Sequence, residues 1–178
     1  MMEKAIILRK LHYSELQFKL ALAVSTTCHS SNEPALRYLG AFSWGKHFMD
    51  SEELSLTIEE EKLASSTLEL SATYLMTLQL DEVLEKFFSN RFEHSNCSVQ
   101  NGAFIVHLIR NAFAHDPLSP TWLIPAYCKN KVFNVEGIIS LNTNELNKKK
   151  LKRSHYGGQI ALLRLLQYFS QLIAEDTL

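Results

Sequence analysis

Phe104-Ile105-Val106-His107-Leu108-Ile109-Arg110-Asn111-Ala112-Phe113-Ala114-His115-Asp116-Pro117 is the stretch on which the fold turns. Phe104, Leu108 and Ala112 repeat every four residues and Ile105, Ile109 and Phe113 form the adjacent row, so the spacing predicts a helix that is apolar around most of its circumference. Arg110 and His115 interrupt that core-like surface, and a charge in such a setting needs a partner or a use. Pro117 cannot continue the backbone ladder and disfavours helical geometry at Asp116, which predicts a helix that stops at or just after His115. The imidazole is then delivered to the helix C-terminus, beside free carbonyls and the negative end of the dipole.

Around this helix the composition is that of an ordinary globular protein. The 178 residues, 46% hydrophobic and 21% charged, suffice for one domain with a real core. A formal net charge of −1 excludes a protein that coats nucleic acid by bulk electrostatics, so any polyanion site has to be focal. Cys28, Cys97 and Cys128 are odd in number and widely spaced, which points to reduced thiols in a cytoplasmic protein. Neither Cys28-His29 nor His94 with Cys97 is joined by a second well-spaced pair, so no metal and no cofactor is expected. The apolar run Ala5-Ile6-Ile7-Leu8 is too short and too soon charged for a signal peptide, and no membrane association is expected.

Helical periodicity organises most of the chain. Residues 1–50 are expected to hold N-terminal helices. The first runs from Ala5 to about Ser25 on Ile7, Leu11, Phe18 and Leu22, with Leu8, Leu20 and Val24 on a neighbouring stripe. After a connector over Thr26–Asn32, Asn32-Glu33-Pro34 reads as the start of a helix through Leu36, Leu39 and Phe42. The aromatic-rich piece Phe42–Phe48 stays open between a weak helix and a pocket edge. Residues 57–117 are expected to form the helical core. Thr57-Ile58-Glu59-Glu60 is a capping box that opens a long helix, with an expected core stripe of Leu63, Thr67, Leu70, Tyr74 and Leu78, supported by Leu68 and Leu75. Asp81 reads as the cap of a continuation, Asn90–Asn96 as a loop, and Ser98 as the cap of the motif helix. Trp122–Cys128 and Val132–Val135, joined by Lys129-Asn130-Lys131, then read as a small β-hairpin, with Ile138–Leu141 as a candidate third strand. The hairpin is thus placed over 121–141. Gly157-Gly158 opens a C-terminal helix over 157–175 with a core face of Ile160, Leu163, Leu166, Phe169 and Ile173. The fold class is mainly α, a helical bundle with a hairpin inserted between the motif helix and the last helix.

Arg110-Asn111-Ala112-Phe113-Ala114-His115 resembles the Arg-x4-6-His signature of HEPN domains, in which a polar residue, commonly Asn, follows the arginine near the end of an apolar helix. The preceding helix, with its Ser, Thr and Ala face and Tyr74, and the hairpin, Gly-Gly and final helix are similar to a bacterial HEPN subgroup, so the resemblance covers roughly Glu59 to the C-terminus. It implies a single HEPN-like domain over 1–178 and a homodimer in which the Arg and His of both copies meet in one cleft. In active members that cleft cuts RNA without a metal, as in toxins or defence effectors. Some members pair with a nucleotidyltransferase-like antitoxin.

The chemistry of the residues fits what the resemblance implies. Positions five apart on a helix differ by about 140° and roughly 7.5 Å of rise, so one copy of Arg110 and His115 cannot clamp one phosphate, whereas a two-fold axis brings two copies together. His115 is suited to act as general base on a ribose 2′-hydroxyl or general acid toward the leaving 5′-oxygen. Arg110 is suited to stabilise the phosphorane-like transition state, and Asn111 to orient the histidine or bind a phosphate oxygen. Lys148, Lys149, Lys150, Lys152 and Arg153 form the densest basic run and are the candidate contacts to an RNA backbone. Two competing readings stand beside this one: an Arg and a His that merely pair with Asp116 or free carbonyls, and a non-catalytic module that binds RNA, a nucleotide or a protein. His107, about 80° around the helix from His115, is within reach of the same cleft but fits a satisfied core residue better. No Gly-rich phosphate loop, GxSxG or paired-carboxylate pattern is present.

Overall fold

A computed structural model, which describes residues 2–35, 42–88 and 90–175, shows a mainly helical chain with two short antiparallel hairpins. In order, α1 spans Met2–Ser30, β1 Phe42–Trp44, β2 His47–Met49, the one-turn α2 Ser51–Leu54 and α3 Ile58–Phe87. They are followed by α4 Cys97–Phe113, β3 Val132–Val135, β4 Ile139–Asn142 and α5 Gly158–Glu175. Among the described residues no helix is long and apolar enough to cross a membrane.

α4, which carries the motif, is the central helix. Ala103, Ile105, Val106, Leu108, Ile109 and Phe113 are all fully buried, in one apolar cluster with Leu11 and Phe18 of α1, Met76, Leu80 and Leu84 of α3, and Leu162, Leu165 and Phe169 of α5. Burial of this kind contributes roughly 1.5–3 kcal/mol per large side chain, which is why so apolar a helix goes to the middle. Its start is set by Asn96, not Ser98: Asn96 Oδ1 accepts from the backbone N–H of Ser98 at 2.9 Å and Val99 at 3.3 Å. α3 begins as its capping box dictates, with Thr57 N–H donating to Glu60 Oε2 at 2.8 Å and Glu60 N–H to Thr57 Oγ1 at 3.3 Å.

Several expectations are corrected. α1 continues through Thr26 to Ser30, where a connector was expected. Leu36 and Leu39 lie outside the described residues, and Phe42 belongs to strand β1, so the second N-terminal helix does not extend to it. Phe42–Met49 is not a weak helix but a hairpin closed by Gly45, which takes the left-handed φ of 61° that a tight turn needs.

The other hairpin is shifted. Val132–Val135 pairs forward with Ile139–Asn142 through Glu136-Gly137-Ile138, not back with Trp122–Cys128, so it spans 132–142 instead of 121–141. Gly137, at φ 69°, supplies the turn, while the backbone of Trp122 is taken by Lys148 and Lys149. On α5 the core face is Ala161, Leu162, Leu165, Leu166, Phe169 and Ile173, and Ile160 is exposed.

The largest correction concerns α3. Leu63, 71% exposed, and Leu68 and Leu75 face outward, and the buried side carries Glu61, Ser65, Glu69, Thr73, Thr77 and Asp81, a polar residue at every fourth position. Burial is tolerated because these groups have partners, except that Asp81 Oδ1 accepts no hydrogen bond and is offset by the Arg91 charge 3.2 Å away. Thr73 Oγ1 donates to the Glu69 carbonyl at 2.8 Å, Thr77 Oγ1 to the Thr73 carbonyl at 3.0 Å and Ser65 Oγ to the Lys62 carbonyl at 3.1 Å. Glu61 accepts from Ala35 N–H at 2.7 Å, and Glu69 and Asp81 hold partners on other elements. Asp81 is therefore a buried mid-helix side chain and not a cap. A four-residue repeat drifts by about 40° per step on a 3.6-residue helix, so the row winds around α3 and reaches different neighbours along its length.

Candidate functional site

At the motif end, α4 stops at Phe113, before the expected end at His115, so His115 lies beyond the helix and not in its last turn. Ala114 N–H returns to the Asn111 carbonyl at 3.2 Å and Thr121 N–H reaches the Ala112 carbonyl at 3.0 Å, so these last-turn carbonyls are satisfied by backbone. Asp116 Oδ1 accepts from Leu118 and Ser119 N–H at 3.0 and 3.1 Å and fixes the following turn. Neither the carbonyls nor Asp116 pairs with the motif side chains. His115 is exposed and, among the described residues, has no hydrogen-bond partner. It lines an open cavity of about 340 Å³ together with Asn111, Ala114, Leu123, Ile124, Pro125 and Asn147.

Arg110 is half-buried and faces another way. Its Nη1 donates to Asn111 Oδ1 at 2.9 Å, its Nε is buried without a partner, and it does not line the His115 cavity. Within one chain, Asn111 and His115 thus share a cavity, and Arg110 is linked to it through Asn111. The Asn111 amide nitrogen lies 2.9 Å from His107 Nε2, and His107 Nδ1 lies 3.4 Å from Asp81 Oδ2. Arg91 Nη1 stands 3.2 Å from Asp81 Oδ1, not aligned for a hydrogen bond, and also donates to the Asp81 backbone carbonyl. His107 is thus satisfied at both ring nitrogens, as expected, though its side chain is 22% exposed, and it joins the motif to a buried carboxylate. Phe92 packs edge-on against its ring at 5.3 Å and lies under the Arg91 guanidinium at 4.7 Å.

The basic run comes to the same end of α4. Lys148 N–H donates to the Trp122 carbonyl at 2.8 Å, Trp122 N–H to the Lys149 carbonyl at 2.9 Å and Leu151 N–H to the Pro120 carbonyl at 2.8 Å. Lys148–Leu151 is thus laid along the segment that leaves the motif. Lys148 adopts a left-handed φ of 64°, unfavourable for a residue with a Cβ by roughly 1–2 kcal/mol, and these bonds hold it there. Lys148, Lys149, Lys150 and Lys152 are exposed. Arg153 differs: its Nη2 sits 2.8 Å from Glu69 Oε1, a carboxylate 1% exposed that also accepts from Gln159 Nε2 at 2.6 Å. Its first role is to neutralise a buried charge.

Beside this run, His155 Nδ1 accepts from the Trp122 indole N–H at 2.8 Å and from Lys152 N–H at 3.2 Å. Burial, then the nearby Lys152 and Lys149, hold its pKa below the ordinary histidine range. Burial also pushes the Tyr156 phenol well above its usual range.

No protein-family model, curated protein or solved structure matches this chain. An unengaged imidazole, an amide and a guanidinium at one helix end supply a proton carrier, a dual donor–acceptor and a fixed cation, the set that phosphoryl chemistry on a ribose uses. Among the described residues no three His, Cys, Asp or Glu side chains converge as ligands for an ion.

Three residues around the site were not among the candidates: Asp81, expected as a cap, Arg91, and Asn147, whose Oδ1 holds Ile124 N–H at 3.1 Å in the cavity wall. Asp81 had a signal, the four-residue polar row on α3. Arg91 and Asn147 sit in short irregular segments and had none.

Proposed function

We propose that the chain is a HEPN-like, metal-independent endoribonuclease that works as a homodimer, with Arg110, Asn111 and His115 of two copies in one cleft. The observation that carries this is His115, exposed and unengaged on a cavity it shares with Asn111, at a helix end where the Asn111 and Ala112 carbonyls and Asp116 are otherwise occupied. In the reaction, the imidazole of one copy takes the proton of a ribose 2′-hydroxyl and the 2′-oxygen attacks phosphorus. The 5′-oxygen leaves with a proton from the histidine of the second copy, and a 2′,3′-cyclic phosphate remains. Arg110 and Asn111 stabilise the non-bridging oxygens as charge builds on them.

The second copy answers the separation of Arg110 from the His115 cavity, and exposed Leu63, Leu68 and Leu75 on α3 offer apolar surface for association. Lys148, Lys149, Lys150 and Lys152 would hold the RNA backbone, with Arg153 contributing less because Glu69 engages it. A toxin or defence role in the cytoplasm, with a nucleotidyltransferase-like antitoxin as partner, belongs to the same proposal.

The test is incubation of the purified protein, and of His115→Ala, with end-labelled single-stranded RNA in EDTA, followed by end-group analysis. Cleavage leaving 2′,3′-cyclic phosphates, reduced at least roughly 100-fold in the variant, is expected. Arg110, with one nitrogen engaged by Asn111 and none lining the cavity, favours a second reading, a binding module. RNA retained intact by both proteins would select it.

A further inference from the structure

We infer that His107 is the positioning residue of the motif: in its Nδ1–H tautomer it fixes the Asn111 side-chain amide with its carbonyl turned to Arg110. The assignment follows from which atoms are able to donate. A guanidinium has no acceptor, so the Asn111 atom 2.9 Å from Arg110 Nη1 is the carbonyl oxygen. The amide nitrogen is then the atom 2.9 Å from His107 Nε2, and since it only donates, Nε2 carries no proton. The ring proton sits on Nδ1, which points at Asp81 Oδ2 from 3.4 Å, and a carboxylate accepts. Every link therefore runs one way, from Arg110 through Asn111 and His107 to Asp81, and Arg91 balances the buried carboxylate at the end.

Flipping the amide would set its N–H groups against the guanidinium, and moving the ring proton to Nε2 would set N–H against N–H. One arrangement places a donor against an acceptor at every link of this relay. Phe92, stacked on Phe104 at 4.7 Å and held by Gln100 Nε2 on its carbonyl at 2.7 Å, closes one side of the ring. Asp81 comes from α3, His107 and Asn111 from α4, and Arg91 from the short helical turn Arg91–Glu93 between them, so the relay ties the motif to the packing of two helices. This rests on the reading that Asn111 and His115 form the reactive site, which the first measurement below does not require.

The test is nitrogen NMR of the full-length protein, with His107→Leu and His107→Gln alongside. The wild-type ring is expected with Nδ1 protonated and Nε2 bare, and the Asn111 side-chain amide signals should move in His107→Leu. A ring protonated on Nε2 alone, or Asn111 signals unmoved in His107→Leu, overturns the assignment. Because the His107 side chain reaches the surface, both variants are expected to fold.

The second measurement is kinetic, on end-labelled single-stranded RNA. His107→Leu should lower kcat roughly 10- to 100-fold with KM little changed. His107→Gln, whose amide both accepts and donates, should recover most of that loss. Equal loss in both variants, or a change in KM alone, would count against positioning. If the wild-type chain cuts no RNA, the ribonuclease proposal falls and the NMR result alone decides whether His107 sets Asn111.

Discussion

Trp122 and His155 make the clearest case at the scale of single residues. The indole N–H and the Lys152 N–H both end on His155 Nδ1, so the folded state needs that nitrogen bare. Burial and the neighbouring lysines lower its pKa, so the unfolded chain takes up the proton first as pH falls. The stabilisation is complete above the ordinary histidine value of 6.5 and is lost as pH drops through the lower folded value. Denaturant titrations across this range should show wild-type stability falling more steeply than that of His155→Asn, which keeps an uncharged acceptor. The Trp122 indole proton resonance should shift over the same interval. Parallel stability curves would remove His155 from the acid response. The motif residues themselves were legible, since Arg110, Asn111 and His115 are spelled out in one local run. Their partners were not, because Asp81 lies 26 residues from His107 and nothing in either neighbourhood names the other.

Helices α3 and α4 show where element-scale reading holds and where it inverts. Caps are local chemistry, so the Thr57 box could be read directly, whereas α4 ends at Phe113, before the expected His115, where Thr121 N–H from the following segment takes the Ala112 carbonyl. The inward face of α3 could not be read directly, because threonine and serine hydroxyls that bond their own helix carbonyls can be buried without leaving a donor unsatisfied, which leaves leucine periodicity a poor guide. On α4 the same tension appears at Gly102. Helix propensity alone says that alanine would stabilise it by about 1 kcal/mol. Packing says the opposite: a Cβ there would stand 2.7 Å from Phe169 Cζ and 2.8 Å from Cε2, on a fully buried ring. Gly102→Ala should therefore destabilise the protein by about 1–3 kcal/mol, measured by chemical denaturation, and a gain in stability would mean the α4–α5 contact is looser than described.

Across the molecule, the first and last helices close on each other. Lys4 Nζ donates to the Ala174 carbonyl at 3.0 Å and Gln167 Nε2 to Glu15 Oε1 at 2.8 Å, and α1 packs on both α3 and α5. Gln159 and Arg153 converge on Glu69 and tie α5 and the end of the basic run to α3. The N-terminal segment is thus part of the core that holds the motif helix and not an appendage to it. Phe18, fully buried on α1, tests this: Phe18→Ala should cost about 3–5 kcal/mol and shift one cooperative unfolding transition seen alike by fluorescence and circular dichroism. Separate transitions by the two probes would show α1 melting independently of the motif.

By itself the sequence determined the mainly helical class, the motif helix, the α3 cap and the C-terminal helix after Gly157. Each depends on interactions within a turn or two of chain, so spacing encodes it. Only the tertiary structure decided which face of α3 is buried, that β3 pairs forward with β4, that Lys148–Leu151 lies beside the motif, and that Arg153 answers Glu69. These outcomes depend on which distant group satisfies a buried donor or acceptor, as Gln159 does for Glu69 across 90 residues. An unsatisfied buried polar atom costs more than a hydrogen bond contributes, so the partners that packing brings together, and not the local pattern, choose the arrangement.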